Sequence, residues 1–164
     1  MLKKKIYIAC DHAGFELKGE LINYLEECGY VIQDMGAYVY DEGDDYPDFI
    51  SKAAGEVSLK PEDSLGIVIG GSGQGEAIVS NRFPKVRATV YYGGSLKTVK
   101  MARLHNDSNI LSLGARFITP EEAKAALKVW LETPFSAEER HIRRHNKIEA
   151  LAVSGRTEHL SPRS

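Results

Sequence analysis

A glycine-rich turn, Gly70-Gly71-Ser72-Gly73-Gln74-Gly75, runs directly into an acid, Glu76, at the end of the apolar run Leu65–Gly70. Glycines let a backbone approach a ligand closely and aim amide N–H groups at an anion. Two familiar uses of such a turn fail at its last positions. The dinucleotide pattern GxGxxG, started at Gly71 and Gly73, requires glycine where Glu76 stands. The phosphate-loop pattern GxxxxGK[ST] fits Gly70 and Gly75 but then meets Glu76 and Ala77 in place of a lysine and a hydroxyl. An acid there repels a terminal phosphate, which excludes nucleoside triphosphate hydrolysis. A carboxylate beside a cradle of donors points instead to acid–base work next to an oxyanion site. The plainer alternative is a tight strand–helix turn with a glutamate favouring the first helical turn.

Other polar residues admit two readings each. Asp11-His12 closes the first apolar run, either as a helix cap with an exposed histidine or as part of a ligand edge. His105-Asn106-Asp107 ends a helical pattern, where His105 complements the helix C-terminus and Asn106 suits the left-handed cap. The run Arg140-His141-Ile142-Arg143-Arg144-His145-Asn146-Lys147 lies in the first turns of a helix, where cations oppose the macrodipole and Glu138 and Glu139 offset part of that. Arg140 and Arg144 share a helical face, so their forks suit a phosphate or carboxylate, with Arg116 a possible third member.

These residues need a scaffold, and the chain has the length for one. Its 164 residues and 43% hydrophobic content suit one ordinary core. Lys and Arg number 21 and Asp and Glu 23, so the net charge of −2 argues against nucleic acid as a partner. Cys10 and Cys28 make no CxxC, which excludes a disulfide framework or zinc ribbon; both read as buried thiols in a reducing compartment. No metal site is expected. The run Ile6–Cys10 is too short for a signal core and no run approaches a membrane span, so a cytoplasmic location is expected.

Strand signals at Lys5–Cys10, Tyr30–Met35, Leu65–Gly70, Arg87–Tyr92 and Asn109–Leu113 alternate with helical patterns at Phe15–Glu27, Phe49–Val57 and Ser95–Leu104. Thr119-Pro120-Glu121-Glu122 opens a helix to about Thr133, and Ser136-Ala137-Glu138-Glu139 repeats the capping box for a last helix to about Val153. This βα alternation predicts an α/β fold: a three-layer, doubly wound, Rossmann-like five-stranded parallel sheet with a C-terminal helix. Ligands of such folds bind beyond the carboxyl ends of the strands. Residues 1–155 form the expected domain and 156–164 a tail.

Taken in order, Ile8–Gly14, Asp45-Tyr46-Pro47, Gly70–Glu76 with Ser80-Asn81-Arg82, His105-Asn106-Asp107, and Arg140-His141 with Arg144 resemble the type B ribose-5-phosphate isomerases. Their family also holds galactose- and allose-6-phosphate isomerases. The resemblance implies a doubly wound homodimer with active sites at the subunit interface, and a dimer of dimers as a further assembly. It implies aldose–ketose isomerisation of a five-carbon sugar phosphate through an enediolate, with no metal and no cofactor. Family members use as base either a cysteine at the strand end, where this chain has Gly70, or a glutamate after the loop, as at Glu76. By the same resemblance His105 opens the sugar ring and Asp11 and His12 contact the sugar. Gly71, Ser72, Gly73, Gln74, Gly75 and Asn106 hold the enediolate, and Arg116, Arg140 and Arg144 hold the phosphate. A glutamate of ordinary pKa about 4.3 is a weak base, so partial burial is expected to raise it. The loop Gly36–Asp45 is expected to line the pocket. An isomerase of a six-carbon sugar phosphate is the alternative within the family. A non-catalytic phosphate-binding module is the alternative outside it, opposed by the joint presence of Glu76, His105 and the Arg140 cluster.

Overall fold

Alternation along the first strand divides the core into two. In β1 (Lys5–Cys10), Ile6, Ile8 and Cys10 enter one hydrophobic cluster, while Tyr7 and Ala9 enter another on the opposite face. The computed structural model describes residues 4–157; of the expected tail, 158–164 lie outside the described residues. β1 is joined by β2 (Ile32–Asp34), β3 (Ser64–Gly70), β4 (Ala88–Tyr91) and β5 (Ile110–Gly114) in one parallel sheet of order β2-β1-β3-β5-β4. β3 is buried along its whole length, as a central strand covered on both faces must be. β2 is shorter than its apolar run, because it pairs only along one side, with β1 at Ile6–Ile8.

Three helices cover the first face: α1 (Phe15–Glu27), α4 (Leu96–Asn106) and α5 (Pro120–Glu132), which contribute Leu21, Val99 and Leu127 to the larger cluster. Trp130 of α5 is fully buried there, its indole N–H donating to Ser108 Oγ at 2.8 Å. α2 (Pro47–Leu59) and α3 (Gln74–Ser80) lie on the other face, where Ile50, Ala53, Ala54 and Val57 pack on Tyr7 and Val68. α5 begins at the expected capping box: Thr119 N–H donates to Glu122 Oε2 at 2.7 Å and Glu122 N–H to Thr119 Oγ1 at 3.2 Å.

Three expectations need correction. The second capping box does not form, and α6 (Glu139–Thr157) starts three residues later than Ser136. Ala137 takes a positive φ of 52°, and the Ser136 hydroxyl instead meets His141 Nδ1 at 2.9 Å. The left-handed residue after α4 is Asp107, at φ 43°, rather than Asn106. Cys28 is exposed; Cys10 alone is a buried thiol, with its pKa pushed up to about 12 by burial.

Candidate active site

β1 and β3 are neighbours whose outgoing connections cover opposite faces of the sheet, so a crevice opens beyond their carboxyl ends. The glycine turn leaves β3 here. Its carbonyls are committed sideways: Gly70 accepts from Ala115 N–H at 2.8 Å, Gly71 from Arg116 N–H at 3.1 Å and Gly73 from Ser112 Oγ at 2.6 Å. Gly73 turns the chain at φ 77°, a left-handed conformation that L side chains resist. The Ser72 hydroxyl accepts from Gln74 N–H at 3.3 Å.

α3 then carries Glu76 back over the strand end. That residue is 4% exposed, and its carboxylate lies against Gly70 so closely that any Cβ at position 70 falls on it. Burial raises the Glu76 pKa above the ordinary carboxylate value, and the nearby Asp11 charge adds to the rise. Asp11, at the end of β1, is itself buried and caps a single 3₁₀ turn at His12–Gly14, accepting from Ala13 N–H at 2.9 Å and Gly14 N–H at 3.2 Å. The Arg116 guanidinium, after β5, stands over Gly71, and the Tyr46 ring closes over Gly75. Tyr46, Gly71, Ser72, Glu76, Arg116 and Phe117 line a cleft of about 490 Å³ at this edge.

His12 is held from the loop after β2. Its backbone N–H and Nδ1 both reach Asp44 Oδ1, at 3.2 and 2.7 Å, and Tyr40 stands edge-on to its ring at 6.4 Å. Among the described residues Asp11, His12 and Asp44 are grouped as a cation site would be, with ligand atoms within 4.8 Å of one another. His12 Nδ1 and Asp44 Oδ1 are bound to each other, and Asp11 Oδ1 is bound to its own cap, so hydrogen bonds hold the group together.

The remaining site residues lie elsewhere. α4 runs from the carboxyl end of β4 to the amino end of β5, so His105 and Asn106 end at the opposite edge of the sheet from Glu76. There the His105 ring packs on His141, centroids 4.6 Å apart, and Ser136 N–H donates to Leu104 C=O at 3.0 Å, tying α6 to α4. His141 is buried and its pKa lowered by that burial. Arg140 and Arg144 are exposed on α6, and Arg140 Nε donates to Glu138 Oε2 at 2.9 Å. Asp107 is clamped beside them by Arg87 and Arg103, at 3.0 and 2.9 Å. A chain alone thus brings together Asp11, His12, residues 71–76 and Arg116, and keeps His105, Asn106, Arg140 and Arg144 apart from them.

Residues 6–148 match the Ribose/Galactose Isomerase family. The chain belongs to the ribose/galactose isomerase family. Within it, ribose-5-phosphate isomerase B of Mycolicibacterium paratuberculosis is 42% identical over 158 residues, covering 96% of each chain. That of Escherichia coli strain K12 is 36% identical, covering 90% of this chain and 96% of its own. A crystal structure of ribose-5-phosphate isomerase B from Mycoplasma genitalium with bound ribulose-5-phosphate superposes with a TM-score of 0.87 at 34% identity, covering 92% of this chain and 97% of that one.

In this isomerase positions 70 and 76 constrain each other. The side chain of a residue at 70 and the carboxylate of Glu76 compete for one space, so Gly70 is the condition for Glu76 to sit where it does. Sequence reasoning gives no role to Tyr46 and Phe117, which line the cleft, or to Asp44, which holds His12. Asp44 is one acid among several in Asp41–Asp48, and nothing in spacing or pattern separates it from solvated neighbours. Tyr46, beside Pro47 in a quoted motif, carried the only usable signal.

Proposed function

We propose that this chain interconverts ribose 5-phosphate and ribulose 5-phosphate, with Glu76 as the base. The observation that carries the reading is the buried Glu76 carboxylate, held over Gly70 beside the glycine turn with its pKa raised. A base whose pKa moves toward the working pH gains strength for abstracting a proton from carbon. In the open-chain aldose Glu76 takes the C2 proton, and the charge that develops on O1 is met by amides of residues 71–75. The protonated Glu76 returns that proton to C1, while the O2 hydroxyl passes its own proton to O1. The loop carbonyls turned toward β5 and α3 support assigning its amides as the oxyanion donors, since such donors need no reorganisation.

The divided geometry supports a homodimer. A two-fold axis brings the His105 edge of one subunit onto the Glu76 edge of the other and makes two equal sites. In each, His105 of the partner subunit opens the sugar ring, Asn106 of the partner subunit joins the loop at the enediolate, and Asp11 and His12 contact the sugar. Arg116 meets the phosphate together with Arg140 of the partner subunit and Arg144 of the partner subunit. The reading places the enzyme in the cytoplasm and in pentose phosphate metabolism. No helix among the described residues is long and apolar enough to cross a membrane.

The test has two arms. Purified protein is given ribose, allose and galactose phosphates; turnover confined to a six-carbon substrate replaces ribose 5-phosphate in the assignment. Separately inactive Glu76→Gln and His105→Asn proteins are then mixed and allowed to exchange subunits. Random reassortment leaves one intact site in each mixed dimer and restores about a quarter of wild-type activity. No recovery after verified exchange refutes the shared site.

A further inference from the structure

One carboxylate near the cleft is placed at a cost that the mechanism above does not explain. Asp41 and Asp45 of the same loop are exposed, as is Asp48 at the start of α2, but the Asp44 side chain is only 6% exposed. Its Oδ1 receives both the N–H and Nδ1 of His12, 32 residues away, and its Oδ2 is buried without a hydrogen-bond partner among the described residues. A buried carboxylate with an unmet oxygen is expensive unless a cation compensates it. The group facing it is the His12 imidazole, whose backbone is already fixed by the Asp11 cap and whose ring is bounded edge-on by Tyr40.

We propose that Asp44 is a positioning residue for substrate binding: by engaging Nδ1 of His12 it fixes both the ring and its tautomer, so that Nε2 has a proton to offer only when the ring is cationic. The proposal rests on the sugar-phosphate reading of this cleft. A neutral imidazole whose Nδ1–H is committed to a carboxylate presents a bare lone pair at Nε2, which repels an anionic oxygen. The imidazolium presents a charged donor at the same point. The Asp44 bond also raises the pKa of His12; Asp11 adds to the rise, while partial burial and Arg116 oppose it. Asp11, Asp44, Arg116 and the Tyr40 phenol are the ionisable groups facing the ring. Affinity for an anionic oxygen is therefore present below the raised pKa of His12 and is lost as pH rises through it.

The experiment is a nitrogen-15 NMR titration of the full-length enzyme without ligand, with KM and kcat for ribose 5-phosphate measured across pH. In the wild type, His12 is expected to titrate above its ordinary value of about 6.5 and to keep its proton on Nδ1 at alkaline pH. Asp44→Asn should bring the titration back toward that value and mix the tautomers. KM should then rise several-fold above wild type at alkaline pH, with kcat little changed and with KM matching wild type at acid pH. Asp44→Glu should restore the profile. A wild-type His12 that titrates at or below its ordinary value, or carries its neutral proton on Nε2, overturns the proposal even where Asp44→Asn does not fold. So does an Asp44→Asn enzyme that loses kcat and keeps its KM profile. Absence of isomerase activity in the wild type defeats the functional reading instead, and the NMR arm still decides the Asp44–His12 pairing.

Discussion

Replacing Gly70 by alanine should disable the enzyme without unfolding it. The backbone at Gly70 lies outside the left-handed region, so alanine adds no torsional strain there. The added methyl does meet the Glu76 carboxylate, and Oε2, the farther of its two oxygens, stands 2.6 Å from the Cβ position. That oxygen must retreat by roughly 1 Å to reach ordinary contact, and the nearer one by more. The end of a glutamate side chain rotates away easily, so the stability change should stay within about 1 kcal/mol. The chemistry is less forgiving, because a misplacement of about 1 Å can cost 10²-fold in rate. We therefore expect kcat for Gly70→Ala to fall about 10²-fold, with KM and the melting temperature close to wild type. The assay is ketose formation from ribose 5-phosphate, run beside exchange of the C2 proton with heavy water. Residues in one constellation are not additive, so Gly70→Ala combined with Glu76→Gln should be no slower than Glu76→Gln alone. A Gly70→Ala enzyme with wild-type kcat and unchanged exchange refutes the placement of the base.

Glu76→Gln should lower kcat by about 10²–10⁴-fold with KM little changed, and C2 exchange should fall in parallel. Because burial raises the Glu76 pKa, the stability tied to this group is present at low pH, where it is protonated, and is lost as pH rises through the raised value. Scanning calorimetry should accordingly show Glu76→Gln melting above wild type at neutral pH, the difference closing below about pH 4. Arg140→Ala should raise KM for the phosphorylated substrate by a factor of order 10², and leave a non-phosphorylated sugar nearly unaffected; equal losses for both make the cluster structural. EDTA should leave turnover unchanged, since His12 Nδ1 is bound to Asp44 Oδ1 and Asp11 Oδ1 to its own cap; a loss reversed by a divalent ion contradicts this.

Local signals located most elements because they act over a few residues. Lys5–Cys10 and Phe15–Glu27 were readable to the residue, one as an apolar run and the other as a helical stripe bounded by Gly14. The start of α6 was misread because Ser136 and Glu139 have capping-box spacing, while His141 attracts the Ser136 hydroxyl from the far side of the turn. The opposite ends occupied by Glu76 and His105 need no strand order: in a parallel sheet one follows a strand and the other precedes one. Strand order depends on which β-strands meet across the sheet, and no local pattern records that. Asp44 was invisible for a related reason: its distinction is burial against His12, a contact made across 32 residues.

The shared space at Gly70 and Glu76 also bears on how such a site can change over generations. On the proposed reading a lineage that uses the glutamate cannot first acquire a cysteine at position 70, because the new side chain displaces the Glu76 carboxylate. Nor can it first discard the glutamate, because neither thiol of the chain stands ready in its place: the Cys10 thiol is buried with its pKa pushed up to about 12, and Cys28 lies at the end of α1. Each single step passes through a crippled enzyme, so exchange of one base for the other requires both changes together or a redundant gene copy to shelter the intermediate. The two forms of the site are thus separated by a valley one atom wide, and descent within the family should track the base a lineage inherited more closely than the sugar it now converts.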